Sequence, residues 1–76
     1  MSKLSDKVLR RATIYLGPAA KTFLERQTMG HINGLKFDAL APSHLPELSK
    51  WVGISAALIV EKEKADTLAK FILNLE

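Results

Sequence analysis

The sequence predicts an all-α protein, a compact bundle of four short helices. Apolar residues recur at steps of three and four along most of its 76 residues, which is the spacing of one helix face. Three features divide that pattern: a Gly-Pro pair at 17–18, a glycine-containing segment from 30 to 40, and a change of apolar phase near residue 60. The Asn-Gly pair in the middle segment often marks a hairpin, but no alternating strand pattern flanks it.

Length and composition predict a single soluble domain over residues 1–76. Apolar residues make up 47% of the chain and charged residues 25%, as in an ordinary globular protein rather than a disordered one. A domain of this size buries only about 60 to 65% of the surface of its unfolded chain, so its stability margin is narrow. We therefore expect a protein partner or self-association to contribute.

Helix one is predicted over about residues 4–16, with an apolar face opposite a basic one. Gly17 can adopt the left-handed conformation that ends a helix, and Pro18 has the φ value that suits the first position of the next helix. The sequence therefore predicts a sharp structural corner at Gly17 and Pro18. The alternative is that this corner serves folding alone.

Helix two is predicted over about residues 18–29, with alanines and Phe23 on its buried face beside either Leu24 or Gln27. The following segment is predicted to be a structured loop because it contains two glycines. Three apolar side chains of this loop are expected to plug the core: Leu35, Phe37 and Leu40.

The apolar pattern changes phase in the second half of the chain. At about 100° per residue, the stripe through Leu48 and Ile59 lies roughly 150° away from the stripe through Leu68. One straight helix cannot bury both stripes, so a break is expected between residues 59 and 64.

Helix three is accordingly predicted over about residues 43–59, with Ser43 as its N-cap, and helix four over about residues 61–74. Pro46 is compatible with this assignment because proline is tolerated in the first turn of a helix. The break should allow the two helices to pack against each other.

Positive charge is concentrated in the first half of the chain. Residues 1–36 carry seven cationic and two acidic side chains, a balance of +5, whereas residues 37–76 carry four cationic and six acidic ones, a balance of −2. The basic half is a candidate surface for an acidic partner, with Arg10, Arg11 and Lys21 as its candidate contact residues. The alternative is a set of solvated helix faces that keep the protein soluble.

A second candidate surface is the apolar flank of helix three. Trp51, Ile54 and Leu58 lie beside the predicted core stripe rather than within it. An aromatic side chain in that position either anchors a partner helix or a second copy, or closes the edge of the bundle.

The sequence does not predict an enzyme, a metal site or a cofactor site. His31 and His44 are thirteen residues apart, which is not the spacing of a helical metal pair. There is no cysteine, and the glycines lack the spacing of a phosphate-binding loop. The clustered acids near residue 61 alternate with lysines, so they are expected to be solvated.

A cytoplasmic location and no transmembrane segment are expected. No apolar run approaches the ~20 residues that span a bilayer, and the N-terminus lacks the pattern of a signal peptide. Peripheral attachment through helix one is a weaker hypothesis because that helix lacks a bulky aromatic face.

DNA binding is the main alternative to protein binding. Residues 48–60 resemble a degenerate helix-turn-helix, in which Ser55 would begin the recognition helix. The residues that would then face the bases are Ala56, Ala57 and Val60, followed by acids, and these offer little for base readout or phosphate contact. The apolar period also continues through Gly53 as it would in one helix.

The corner carries a resemblance to a known family. Residues 16–21, Leu-Gly-Pro-Ala-Ala-Lys, followed by Leu24 and Arg26, resemble the Leu-Gly-Pro-x-Ala-Lys motif of a small helical domain of unassigned function. That domain is appended to bacterial serine/threonine kinases and other bacterial signalling proteins. Ala19 stands where the family favours a larger aliphatic residue. The resemblance implies a non-catalytic protein-protein interaction module, a bacterial signalling or regulatory adaptor.

Overall fold

The computed structural model describes residues 3–75, and within that range it is all-α, with no β-strand. The α-helices are α1 (Lys3–Leu16), α2 (Ala20–His31), α3 (Leu45–Ala56) and α4 (Lys62–Leu73). Single turns of 3-10 helix lie between them, at Gly17–Ala19, Phe37–Ala39 and Pro42–His44.

The expectation of four separate helices is corrected by the geometry of the corner. The 3-10 turn at Gly17–Ala19 joins α1 directly to α2, so residues 3–31 form one helical stretch that bends at Gly17. The turn at Pro42–His44 likewise runs straight into α3. The described part of the chain therefore holds three continuous helical stretches longer than a single turn, 3–31, 42–56 and 62–73.

Helix ends differ from the predicted ones by two or three residues at several places. Helix α2 begins at Ala20 rather than Pro18, since the proline initiates the 3-10 turn, and it ends at His31. Helix α3 begins at Leu45, because Ser43 lies within the preceding 3-10 turn and is not the N-cap.

The N-cap of α3 is His44, which makes no side-chain capping bond to its helix. Its ring instead holds the preceding turn, because the backbone N–H of Ala41 donates to His44 Nδ1 at 3.0 Å. This bond fixes the bend by which the chain enters α3.

The predicted break before α4 is confirmed. Helix α3 ends at Ala56, whose carbonyl oxygen accepts hydrogen bonds from the N–H groups of Ile59 (3.0 Å) and Val60 (2.9 Å). Helix α4 then folds back along α3. The two helices pack closely enough for Ser49 Oγ, on α3, to donate a hydrogen bond to the carbonyl oxygen of Ala69, on α4, at 2.7 Å.

The core confirms the two predicted apolar stripes. Of the three loop side chains expected in the core, Phe37 and Leu40 are buried, and Leu35 is half-buried against it. Ile59 is exposed because α3 ends before reaching it. The buried apolar residues are Val8, Ala12, Ala20, Leu24, Phe37, Leu40, Leu45, Leu48, Val52, Ala56, Ala65, Leu68 and Ile72.

Gly17 adopts the left-handed conformation that the sequence predicts, with φ of +63°. We expect Gly17→Ala to lower the free energy of unfolding by about 1 to 2 kcal/mol, because a Cβ atom is penalised in that conformation. The matched control is Gly30→Ala, at a site in α2 where an added Cβ meets open space, and it should raise stability by about 0.4 to 1 kcal/mol. Urea denaturation of both variants measures the difference, and equal changes would contradict the assignment of Gly17 as a left-handed turn.

Candidate functional site

An apolar groove lies between α2 and the turn that follows α3. Its volume is about 290 Å³. Helix α2 and the end of the 3-10 turn before it form one wall, and the last turn of α3 with residues 58 and 59 forms the other. The lining residues are Ala19, Thr22, Phe23, Arg26, Gln27, Ser55, Leu58 and Ile59.

The helical period of α2 produces the first wall. Phe23 and Gln27 are four residues apart, as are Thr22 and Arg26, so these two pairs form adjacent rows along one side of the helix. The buried face of α2, with Ala20 and Leu24, lies next to these rows.

The second wall exposes two large aliphatic side chains. Leu58 is 83% exposed and Ile59 is 61% exposed, in a turn that leaves the helical path of α3 after Ala56. These two side chains extend the apolar lining of the groove onto the exposed surface, which makes the groove a candidate contact surface.

A hydrogen bond ties the two walls together. Ser55 Oγ donates to Oε1 of Gln27 at 3.0 Å, between residues 28 positions apart in the chain. Gln27 is only 6% exposed, so this bond lies at the base of the groove rather than on its rim. The groove is therefore held in shape by a partly buried polar contact as well as by packing.

Arg26 is the one charged residue among residues 3–75 that lines the groove, and it is exposed. It makes no ion pair with any residue in the range 3–75. The ion pairs in that range join Arg10 to Asp6, Lys62 to Asp66 and Lys64 to Glu61.

The three predicted flank residues do not form one surface. Leu58 lines the groove, whereas Trp51 and Ile54 do not. Ile54 is 51% exposed, on the side of α3 away from the core. Trp51 is half-buried and stacks on His31, with ring centroids 3.9 Å apart and planes 6° from parallel. This stack joins α3 to the end of α2, so the indole covers the edge between the two helices. Its Nε1 also donates to Oε2 of Glu47, within α3, at 3.0 Å.

The predicted basic residues lie away from the groove. Arg10 Nε pairs with Asp6 Oδ2 at 3.1 Å, within α1. The guanidinium of Arg11 lies 4.4 Å from the ring centroid of Phe71, which joins α1 to α4. Lys21 is exposed on α2 but does not line the groove.

Sequence reasoning missed Phe23, Arg26 and Ile59 as groove residues. Phe23 and Ile59 have the spacing of core positions, and only the early end of α3 leaves Ile59 outside. The sequence could have indicated Arg26, because it lies three residues after Phe23 and therefore beside that residue on the helix surface.

The stack between His31 and Trp51 gives a stability prediction. We expect His31→Ala to lower the free energy of unfolding by roughly 0.5 to 1.5 kcal/mol and to shift tryptophan emission to longer wavelength, because stacked rings contribute beyond their buried area. Trp51 is the one tryptophan, so its fluorescence reports this contact directly. Met29→Ala, at an exposed position near the same helix end, is the control that should leave the emission unchanged.

The helix-turn-helix geometry considered for residues 48–60 is not formed. Helix α3 continues without interruption through Gly53 and Ser55, so Ser55 lies in its last turn and begins no new helix. Within residues 3–75 there is no group of three histidine or acidic side chains placed to hold a metal ion. In the same range, no helix has the length and apolar character needed to cross a bilayer.

Comparisons of the chain with family models, with curated proteins and with solved structures gave no match. The resemblance of residues 16–21 to a bacterial signalling domain therefore stays a prediction.

Proposed function

We propose that this chain is a non-catalytic interaction module that binds a helical segment of a partner protein in the groove between α2 and residues 58–59. The observation that carries this proposal is the exposure of Leu58 and Ile59 beside the half-buried ring of Phe23. Leu58 and Ile59 do not pack against the core, whereas burial of an aliphatic side chain by a partner contributes about 1.5 to 3 kcal/mol.

The dimensions of the groove favour side chains of a partner over a small-molecule ligand. Its volume of about 290 Å³ is at the lower limit of ordinary ligand pockets. A space of this size accommodates one or two aliphatic side chains. A helix that lies along α2 would supply them at positions four residues apart, which is the usual mode of helix recognition in a groove.

The resemblance at the corner supports a role in bacterial signalling or regulation, in the cytosol. Two positions of the resembling segment, Ala19 and Arg26, line the groove. The bend at Gly17 places Ala19 at one end of the groove, next to the row that contains Phe23. We therefore propose that the corner serves the binding surface as well as the fold.

The proposal is tested by site-specific photocross-linking in cells that express the protein. A photoreactive residue placed at Leu58 should give an adduct with one discrete protein. The matched control is the same residue at Ile14, which is 72% exposed on α1 and lies outside the groove. With the partner identified and purified, Leu58→Ala should weaken its binding roughly tenfold or more, because a central apolar anchor carries much of the affinity of such an interface.

Equal adducts from positions 58 and 14 would contradict the proposal, since they would indicate collisions rather than a site. Adducts from position 58 to a second copy of the chain or to nucleic acid would replace the proposed partner with self-association or with nucleic-acid binding.

A further inference from the structure

We propose that the partner helix carries an acidic side chain within one turn of its apolar anchors, and that this acid pairs with Arg26. The inference rests on the proposed function and specifies the chemistry of the partner. It follows from the place of Arg26 in the groove, where it is the one charged lining residue and has no ion pair with any residue in the described range.

The helical geometry of α2 sets the distance between the positive charge of Arg26 and the apolar contact that Phe23 offers to a partner. Arg26 follows Phe23 by three residues on the same helix and lines the groove with it, so its side chain borders the apolar contact that Phe23 offers. A carboxylate three or four residues from an aliphatic anchor on the partner helix would reach it. Arginine suits this contact because its planar guanidinium can donate two parallel hydrogen bonds to one carboxylate.

A second copy of the chain fits this site less well than an acidic partner. A two-fold symmetric dimer would use the same patch on both molecules, and among the described residues that patch holds Arg26 but no acidic lining residue to pair with it. Nucleic acid fits less well again, because phosphate recognition relies on several cations and the groove has one.

The test uses a displayed library of helical peptides. Each peptide is an alanine-based helix of about 15 residues, with leucine at two positions four apart and with flanking positions drawn equally from Glu, Gln and Lys. The full chain is the target, and the Leu58→Ser variant serves to remove peptides that bind elsewhere. Circular dichroism verifies that this variant is folded, as expected for a residue that is largely exposed.

The expected result is enrichment of glutamate within four residues of a leucine. Enriched peptides should bind the Arg26→Gln variant about three- to tenfold more weakly than the unaltered chain, and their affinity should fall with added salt. Arg26→Glu should reverse the preference toward lysine peptides. The matched control is Lys70→Gln, an exposed cation on α4 outside the groove, and it should leave the affinity unchanged.

Two other outcomes would overturn the inference in distinguishable ways. Peptides that depend on Leu58 but show no preference for glutamate, and bind Arg26→Gln equally well, would contradict the acidic partner while leaving the groove as a binding site. Failure to enrich any peptide that depends on Leu58 would contradict the proposed function and this inference with it.

Discussion

Leu48→Ala is expected to lower the free energy of unfolding by about 2 to 5 kcal/mol, the usual cost of removing a fully buried leucine side chain. Leu48 lies on the core face of α3, and the structure gives it no exposed surface. For a domain of this length, such a loss corresponds to a fall in melting temperature of roughly 8 °C or more. Thermal and urea denaturation followed by circular dichroism measure both quantities.

Leu58→Ala is the matched control, with the same chemical change at an exposed leucine in the turn after α3. It should change the free energy of unfolding by less than about 0.5 kcal/mol, as is usual for surface substitutions. If instead it costs as much as Leu48→Ala, then Leu58 belongs to the core and the groove is not an open surface of the free protein.

Gly53→Leu is expected to destabilise the protein by about 1 to 3 kcal/mol through overpacking between α3 and α4. A Cβ atom at Gly53 would already lie 3.3 Å from Cβ of Ala69, which is closer than most carbon contacts in proteins. The additional atoms of leucine must therefore push the two helices apart. Denaturation by urea gives the change in the free energy of unfolding.

The control is Gly30→Leu, on the exposed side of α2, where an added Cβ has nothing within 4 Å. This change should be neutral or slightly stabilising, because leucine has a higher helix propensity than glycine. Equal destabilisation at both positions would show that loss of glycine, rather than the close approach of α3 and α4, is responsible.

The features predicted correctly from sequence are those that local periodicity and backbone chemistry determine. The break before α4 follows from the phase of the buried leucines, since Leu48 and Leu68 cannot face one core from a single straight helix. The conformation of Gly17 follows from its place before a proline at a helix junction.

The features predicted incorrectly depend on turns whose backbone geometry the apolar pattern does not specify. Ile59 has the spacing of a core residue, but α3 ends at Ala56, where backbone hydrogen bonds of the turn replace those of the helix. Ser43 is of a residue type that often caps helices, but here it lies inside a 3-10 turn. A hydrogen bond from the backbone N–H of Ala41 to the ring of His44 spans that turn.

The candidate site was only partly predictable because its walls meet through contacts between distant parts of the chain. Leu58 was identified from its position beside the apolar stripe of α3, and the structure places it in the groove. The bond from Ser55 to Gln27 and the stack of Trp51 on His31 join α3 to α2 across long stretches of chain. No local pattern in the sequence specifies such pairs, so the shape of the groove and the structural role of Trp51 emerge only with the fold.

The groove, rather than the basic face of α1, is the proposed binding surface. The most direct measurement is an amide chemical-shift titration of the isotope-labelled chain with the strongest peptide from the displayed library. We expect the largest shifts on residues 19–27 and 55–59, on both walls of the groove. Largest shifts along α1, at Lys7 and Arg10, would contradict it.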